Sequence, residues 1–145
     1  MSALELKTTY FEDLAVGMRE TYAKTVTDAD VRGFAEVSGD HNPIHLSEEF
    51  AAKTPFKSRI AHGIYTASLI SAVIATRLPG PGTIYMSQTL NFMAPVRIGD
   101  TVVASVEITE LSEKGRRAKL KCECKVGETL VLAGEAMVKA PGRPN

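Results

Sequence analysis

Asp40 and His45 are the two side chains whose chemistry and spacing point most clearly to proton transfer. They lie in the segment Ser38-Gly39-Asp40-His41-Asn42-Pro43-Ile44-His45. Gly39 supplies a flexible hinge before the carboxylate, while Pro43 fixes its own φ and disfavours helical geometry in the residue before it. We therefore expect a bend that directs the carboxylate and the imidazole into one small volume, where they can share a water molecule and move its protons.

Structural interpretations of the same residues stay open at this point. Asp40 could cap a turn, as Asp and Asn often do, and His45 could be a hydrogen-bonded core histidine. A metal site built from Asp40, His41 and His45 is disfavoured, because no cysteine or further histidine-rich segment completes a zinc-like set. We expect no metal here and an outward-facing His41.

Three helices are predicted around this segment. The first follows the cap Thr27, ends at Gly39, and has the apolar stripe Val31, Phe34, Ala35 and Val37. The second follows the cap Ser47 and stops before Pro55. The third covers residues 63–77 and is apolar around most of its circumference, so we expect it to be buried on several sides.

Runs of strand-forming residues lie on both sides of the helices. They cover residues 18–26 before them and 83–92, 101–111, 118–126 and 129–140 after them. The short turns that join the later runs imply antiparallel pairing, and one long buried helix beside such a sheet gives an α+β fold. With no repeat or linker in view, residues 1–145 are assigned to one domain with a frayed tail at 141–145.

Composition and charge exclude several classes of function. The 145 residues are 44% apolar and 23% charged, as in ordinary globular proteins, and 17 basic residues balance 17 acidic ones. We therefore expect neither a nucleic-acid nor a membrane partner. Residues 1–7 show no secretory signal, and the apolar stretch at 67–75 is far short of the roughly 20 residues that span a bilayer. Cys122 and Cys124 are too few for a disulfide framework, which favours a cytoplasmic protein.

The segment from Gly39 to His45 resembles the signature of the R-specific enoyl-CoA hydratases, the MaoC-like group of the hot-dog fold. The resemblance covers nearly the whole chain: Tyr10-Phe-Glu-Asp-Leu…Val-Gly17, Ala61-His62-Gly63, and Ile84-Tyr85…Gln88-Thr-Leu-Asn-Phe92…Pro95-Val96…Gly99-Asp100. It implies a five-stranded antiparallel sheet wrapped around a long central helix. It also implies a homodimer or a dimer of dimers.

The resemblance further implies reversible addition of water to trans-2-enoyl-CoA, giving (R)-3-hydroxyacyl-CoA. By position, it assigns catalysis to Asp40 and His45, thioester binding to the Gly63 amide, a pocket hydroxyl to Ser71, and support of the turn to Asn42. Asp40 would accept a proton from the water while His45 orients it and handles the second proton. The division of these roles stays open, because such a pair titrates as a unit. No cofactor is expected, since coenzyme A is part of the acyl-CoA substrate.

The predicted role of Gly63 agrees with elementary chemistry. Negative charge develops on the thioester oxygen during the reaction and needs a hydrogen-bond donor. The first N–H groups of a helix lack partners within the helix, and the helix dipole adds positive potential there. A residue without a side chain also allows close approach.

Other residues near the site have interpretations that do not involve chemistry. We expect His62 to pack or hydrogen-bond at the start of the long helix, and Ser71 could simply ease helix packing. The nearby cations are expected to be solvated surface residues: Lys53, Lys57 and Arg59.

Two further functions fit the same fold. One is a hot-dog thioesterase, and the other is a non-catalytic acyl-CoA-binding subunit of a larger dehydratase. The Asn-Pro-x-His context favours the lyase over the thioesterase, and the presence of both Asp40 and His45 disfavours an inactive subunit. The residues leave open the acyl-chain length, the carrier (coenzyme A or acyl carrier protein) and the physiological direction.

Overall fold

The computed structural model describes residues 5–145; residues 1–4, where the segment examined for a secretory signal begins, lie outside this range. A 3-10 turn at Phe11–Asp13 precedes four helices: α1 (Asp28–Ser38), α2 (Pro43–Leu46), α3 (Glu48–Ala52) and α4 (Gly63–Thr76). The strands are β1 (Arg19–Thr25), β2 (Ile84–Gln88), β3 (Asn91–Phe92), β4 (Thr101–Ser112), β5 (Arg117–Val126) and β6 (Thr129–Lys139). No helix within the described range is long and apolar enough to cross a membrane.

The strands form one antiparallel sheet in the order β1-β4-β5-β6-β2, and β3 follows β2 along the same edge of β6. We expected five strands, but the stretch 83–92 divides into two and makes six. The division lies at Thr89, whose carbonyl comes so close to Gly134 that a Cβ added there would lie 1.8 Å from it. The Thr89 hydroxyl also accepts a hydrogen bond from the backbone N–H of Glu135 at 3.0 Å. The chain therefore leaves the regular ladder at this point.

The long helix α4 packs against the sheet, and the core lies between them. The predicted alternation along β4 is confirmed by its fully buried residues: Val102, Ala104, Val106 and Ile108. The helix contributes Ile70, Val73 and Ile74, which are equally excluded from water. Burying an aliphatic side chain of this size stabilises the fold by about 1.5–3 kcal/mol relative to leaving it exposed. This packing fixes the position of α4, and with it the position of Gly63 at its first turn.

Helix α1 is delimited at both ends by local side-chain and backbone features. The Thr27 hydroxyl accepts from the N–H of Asp30, and the Asp30 carboxylate accepts from the N–H of Thr27. Gly39 ends the helix in the left-handed region at φ 82°, as expected for this residue type. The prediction that Val37 belongs to the apolar stripe was wrong, since it is 83% exposed. It lies about 200° around the helix from the buried Ala35.

The C-terminal tail is held in place over residues 141–143, where we expected it to fray. The N–H of Phe11 donates to the carbonyl of Pro141 at 2.8 Å. The N–H of Arg143 donates to the carboxylate of Glu12 at 2.6 Å, and its guanidinium pairs with Asp13. The carboxylates of the 3-10 turn therefore anchor a segment that has no secondary structure of its own.

Candidate active site

The bend after α1 is built from short-range hydrogen bonds between side chains and backbone. The N–H of Asp40 donates to the Ser38 hydroxyl at 3.0 Å, and one Asp40 carboxylate oxygen accepts from the N–H of Asn42 at 3.2 Å. Asn42 in turn caps α2, because its side-chain oxygen accepts from the N–H of Ile44 at 3.1 Å. Pro43 occupies the first turn of α2, where its missing N–H is not needed. The predicted bend is present, and Asn42 holds its second half.

His45 lies on α2 and is 8% exposed. Its Nδ1 lies 2.8 Å from the backbone carbonyl of Ile60. A carbonyl only accepts hydrogen bonds, so Nδ1 carries the proton and Nε2 is the basic nitrogen of the neutral ring. Burial lowers the pKa of His45 below its usual 6.5, and the proximity of His62 lowers it further, while the Ile60 carbonyl and Asp40 oppose the shift. The side chain is therefore a neutral imidazole at pH 7.

His62 is the residue immediately before α4 and is only 1% exposed. Its Nε2 donates to the backbone carbonyl of Asp40 at 3.0 Å. Its ring stacks on that of His45, with 3.8 Å between centroids and 26° between planes. The prediction that His62 packs and hydrogen-bonds at the start of the long helix is confirmed. The partners of these two contacts are the residues singled out for proton transfer.

The three polar side chains form one cluster. A carboxylate oxygen of Asp40 and one nitrogen each of His45 and His62 lie within 4.8 Å of one another. The two imidazole rings are stacked, so their in-plane lone pairs lie in two nearly parallel planes with 3.8 Å between the ring centroids. One nitrogen of each ring also donates to a carbonyl. The geometry favours a hydrogen-bonded cluster, and the expectation of no metal stays a prediction.

Gly63 begins α4, so its N–H has no partner within the helix. It lines an apolar cleft of about 470 Å³ that is also bounded by Phe56, Ile60, Ala61, Ile64, Thr66, Phe92, Met93, Ala94, Pro95, Val96, Val131 and Leu132. A Cβ at Gly63 would lie 2.6 Å from a ring carbon of Phe92, so any larger residue here would have to displace that ring or the first turn of α4. Asp40 and His45 are not among the lining residues, but Ile60, which binds the His45 ring through its carbonyl, is one of them.

Ser71 lies elsewhere on α4. It lines a separate, open groove of about 360 Å³ whose other residues are Ile64, Ala67, Ser68, Tyr85, Met86, Ser87 and Gln88. Ile64 lines both depressions, but within one chain the Ser71 hydroxyl does not line the cleft that holds Gly63. The role of Ser71 as a pocket hydroxyl stays a prediction.

Arg59 is the functional-site neighbour that we placed incorrectly at the surface. It is 9% exposed, its Nε donates to the backbone carbonyl of His45 at 2.6 Å, and its guanidinium pairs with Asp28 on α1 at 2.7 Å. The hydrogen bond from Arg59 is the main reason that the pKa of Asp28 lies below its usual value. In the sequence Asp28 is explained equally well by its place in the first turn of α1, so nothing pointed to this pairing.

Comparison with known proteins gives consistent results over most of the chain. The family model for the MaoC-like domain matches residues 15–131. A 3-hydroxybutyryl-CoA dehydratase of Methylorubrum extorquens is 64% identical over 137 residues, which are 94% of this chain and 87% of that protein. An (R)-specific enoyl-CoA hydratase of Rhodospirillum rubrum is 48% identical over 143 residues, covering 99% of each.

The fold has solved relatives as well. The R-hydratase PhaJ1 from Pseudomonas aeruginosa, in its unliganded form, superposes with a TM-score of 0.91 at 42% identity. The match covers 95% of this chain and 89% of that one. The antiparallel sheet with a long helix against it is thus the hot-dog arrangement that the resemblance implied. From the family match and these identities, the chain belongs to the family of MaoC-like domains.

Proposed function

We propose that this protein is a hydro-lyase that adds water reversibly to trans-2-enoyl-CoA and forms (R)-3-hydroxyacyl-CoA. Its membership of the MaoC-like family and its curated dehydratase and hydratase relatives support the reaction class. The observation that carries the proposal is the hydrogen bond from His45 Nδ1 to the Ile60 carbonyl. That bond leaves a basic Nε2 on a neutral ring, and one nitrogen of this ring lies within 4.8 Å of a carboxylate oxygen of Asp40.

The reaction requires two proton movements on one face of the substrate. The water oxygen bonds to C3 as one of its protons passes to the Asp40–His45 pair, and the pair then returns a proton to C2, so that the elements of water are added overall and the pair regains its starting protonation state. In our proposal Asp40 accepts the proton from water, while His45 Nε2 accepts a hydrogen bond from the same water and orients it. The lowered pKa of His45 supports this role, because a protonated ring could not accept that bond. Because Asp40 and His45 titrate as a coupled pair, giving the proton to Asp40 and the hydrogen bond to His45 is a choice of one protonation state of the pair.

The thioester carbonyl needs a donor while negative charge develops on its oxygen. The proposed donor is the N–H of Gly63, at the positive end of a helix that runs from Gly63 to Thr76. The apolar lining of the adjoining cleft lowers the local dielectric constant and so strengthens such a hydrogen bond. Loss of one donor of this kind typically lowers the rate by about two to three powers of ten.

The reaction class can be tested directly with trans-2-enoyl-CoA substrates of several chain lengths. Hydration removes the absorbance of the conjugated thioester without releasing free thiol. Release of thiol would instead indicate a thioesterase, and binding of acyl-CoA without turnover would indicate a non-catalytic subunit. Repeating the assay with one enoyl substrate on acyl carrier protein determines the carrier, and chiral analysis of the product tests the R configuration.

We also propose that two copies associate through β2. This strand forms one end of the sheet, and it exposes the large apolar side chains Ile84, Tyr85 and Met86. Pairing of two β2 edges would cover them and extend the sheet across both copies. Light scattering after gel filtration measures the oligomeric state. A cytoplasmic location is part of the same proposal, because Cys122 and Cys124 are both free and buried.

A further inference from the structure

His62 is an unusual residue for the position that it occupies. It is the N-cap of α4, a position that favours Ser, Thr, Asp or Asn because their side chains bind the free N–H groups of the first turn. The His62 side chain makes no such capping bond. Instead, a nearly fully buried imidazole points to the bend between α1 and α2. Burial of a polar ring is costly unless its nitrogens are hydrogen-bonded. Nε2 has a partner and, within the described part of the chain, Nδ1 has none, so the contacts of Nε2 and of the ring face indicate what the residue does.

The contact with Asp40 ties the bend to α4. The hydrogen bonds of Asp40 to Ser38 and Asn42 are both local, within two residues along the chain. The bond from His62 Nε2 to the Asp40 carbonyl spans 22 residues. Among the described residues, it is the hydrogen bond that fixes Asp40 relative to the rest of the molecule. Without it, the described hydrogen bonds of Asp40 would all lie within two residues along the chain, although the second half of the bend would still be held by Arg59 and Ile60.

The second contact restrains His45. The His62 ring stacks on the His45 ring at 3.8 Å and meets the ring of Phe34 on α1 at 4.9 Å. Stacking, together with the bond from Nδ1 to the Ile60 carbonyl, limits rotation of the His45 ring. The same side chain therefore contacts both members of the proposed pair, one through its nitrogen and the other through its face. Its own backbone leads directly into Gly63.

We propose that His62 is a positioning residue. It sets the separation between Asp40 and His45 and fixes the position of both side chains relative to the Gly63 amide. This inference rests on the proposed function, because it concerns the geometry of that pair. A displacement of about 1 Å in such a site can lower a rate by about 100-fold. Loss of His62 should therefore lower kcat while leaving substrate binding in the apolar cleft largely intact.

Four substitutions separate positioning from simple packing. His62→Gln keeps an N–H donor at about the reach of Nε2, whereas His62→Asn carries the same amide too short to reach the Asp40 carbonyl. His62→Phe keeps the ring for stacking and loses the donor. Thr76→Val is the matched control, because it removes a hydroxyl that donates to the Ala72 carbonyl at the far end of the same helix.

We expect kcat for trans-2-enoyl-CoA hydration to fall about 10- to 100-fold in His62→Phe and His62→Asn, with KM within about threefold of wild type. His62→Gln should recover a large part of the loss, and Thr76→Val should keep wild-type kcat. Equal kcat in the Gln and Asn variants, or kcat within twofold of wild type in all three, would overturn the inference. If circular dichroism shows that His62→Phe is unfolded, the comparison of kcat between His62→Gln and His62→Asn tests the inference by itself. Wild-type protein without hydration activity would instead refute the proposed function.

Discussion

The contact between Gly63 and Phe92 allows a quantitative test of the proposed carbonyl-binding amide. In Gly63→Ala, the new methyl carbon would lie 2.6 Å and 2.8 Å from two ring carbons of Phe92. Carbon atoms in contact normally sit about 3.5–4.0 Å apart, so the ring or the first turn of α4 must move by about 1 Å. Phe92 is 55% exposed, so its ring can give way toward solvent.

The expected effect on stability is small. Overpacking by one methyl group typically destabilises by about 1–3 kcal/mol, and the lower end applies because Phe92 is half exposed. Alanine favours helix over glycine by up to about 1 kcal/mol, which offsets part of that loss. The midpoint of urea unfolding should therefore change little. Activity should respond more strongly, because the first turn of α4 carries the proposed donor and takes up part of this movement, and a misplacement of about 1 Å can lower kcat/KM by up to about 100-fold.

A double-mutant cycle identifies the cause. Phe92→Ala alone enlarges the cleft, and Gly63→Ala added to it no longer meets the ring. We expect kcat/KM of the double variant to lie within about threefold of Phe92→Ala, whereas Gly63→Ala alone loses about 10- to 100-fold. Wild-type kcat/KM in Gly63→Ala would refute the proposed role of the first turn of α4. A loss that persists in full in the double variant would refute the steric explanation.

Three further predictions concern the groups around the bend. Asp40→Asn should lower kcat about 100- to 10,000-fold, because the amide cannot accept the proton from water. Its circular dichroism spectrum should be unchanged, because the amide oxygen can still accept from the N–H of Asn42. Near-normal turnover would remove Asp40 from the mechanism. Arg59→Ala should lower the free energy of unfolding in urea by about 2 kcal/mol, because it removes a buried hydrogen bond to the His45 carbonyl. Lys53→Ala is the control, and because Lys53 is exposed its free energy of unfolding should change by less than about 0.5 kcal/mol. Equal changes in the two variants would contradict the buried role of Arg59. The pKa of His45 is lower in the folded state than its usual 6.5, so its contribution to stability is complete above pH 6.5 and is lost as the pH falls through the folded pKa. The difference in unfolding free energy between wild type and His45→Gln should therefore shrink below pH 6.5, and a difference that grows there contradicts the assignment.

Local sequence signals predicted the elements that depend on nearest neighbours along the chain. The cap at Thr27, the end of α1 at Gly39 and the alternation along β4 all follow from chemistry within a few residues. The spacing of Asp40 and His45 belongs to the same class, because the bend between them is closed by bonds within the segment. These predictions succeeded because tertiary packing did not oppose the local preference.

The features that the sequence could not reveal depend on residues far apart in the chain. The break between β2 and β3 requires the approach of Thr89 to Gly134, and the burial of Arg59 requires Asp28. The two contacts made by His62 likewise join segments that the sequence separates. Neither the hydrophobic periodicity nor the helix-capping residues of the sequence indicate which distant residues pair. A single sequence also offers no covariation that would identify such pairs.

The segment from Arg59 to His62 accounts for most of what the motif alone leaves undetermined. Arg59 binds the His45 backbone, the Ile60 carbonyl fixes the tautomer of His45, and His62 holds Asp40. The segment is itself anchored, because the N–H of Ala61 donates to the carbonyl of Val96 at 2.7 Å. The side chains proposed for chemistry come from 38–45, while the restraints on them come from 59–62. A copy of the 38–45 motif placed on another scaffold without these four residues should therefore fold into its bend and still lack the geometry for turnover.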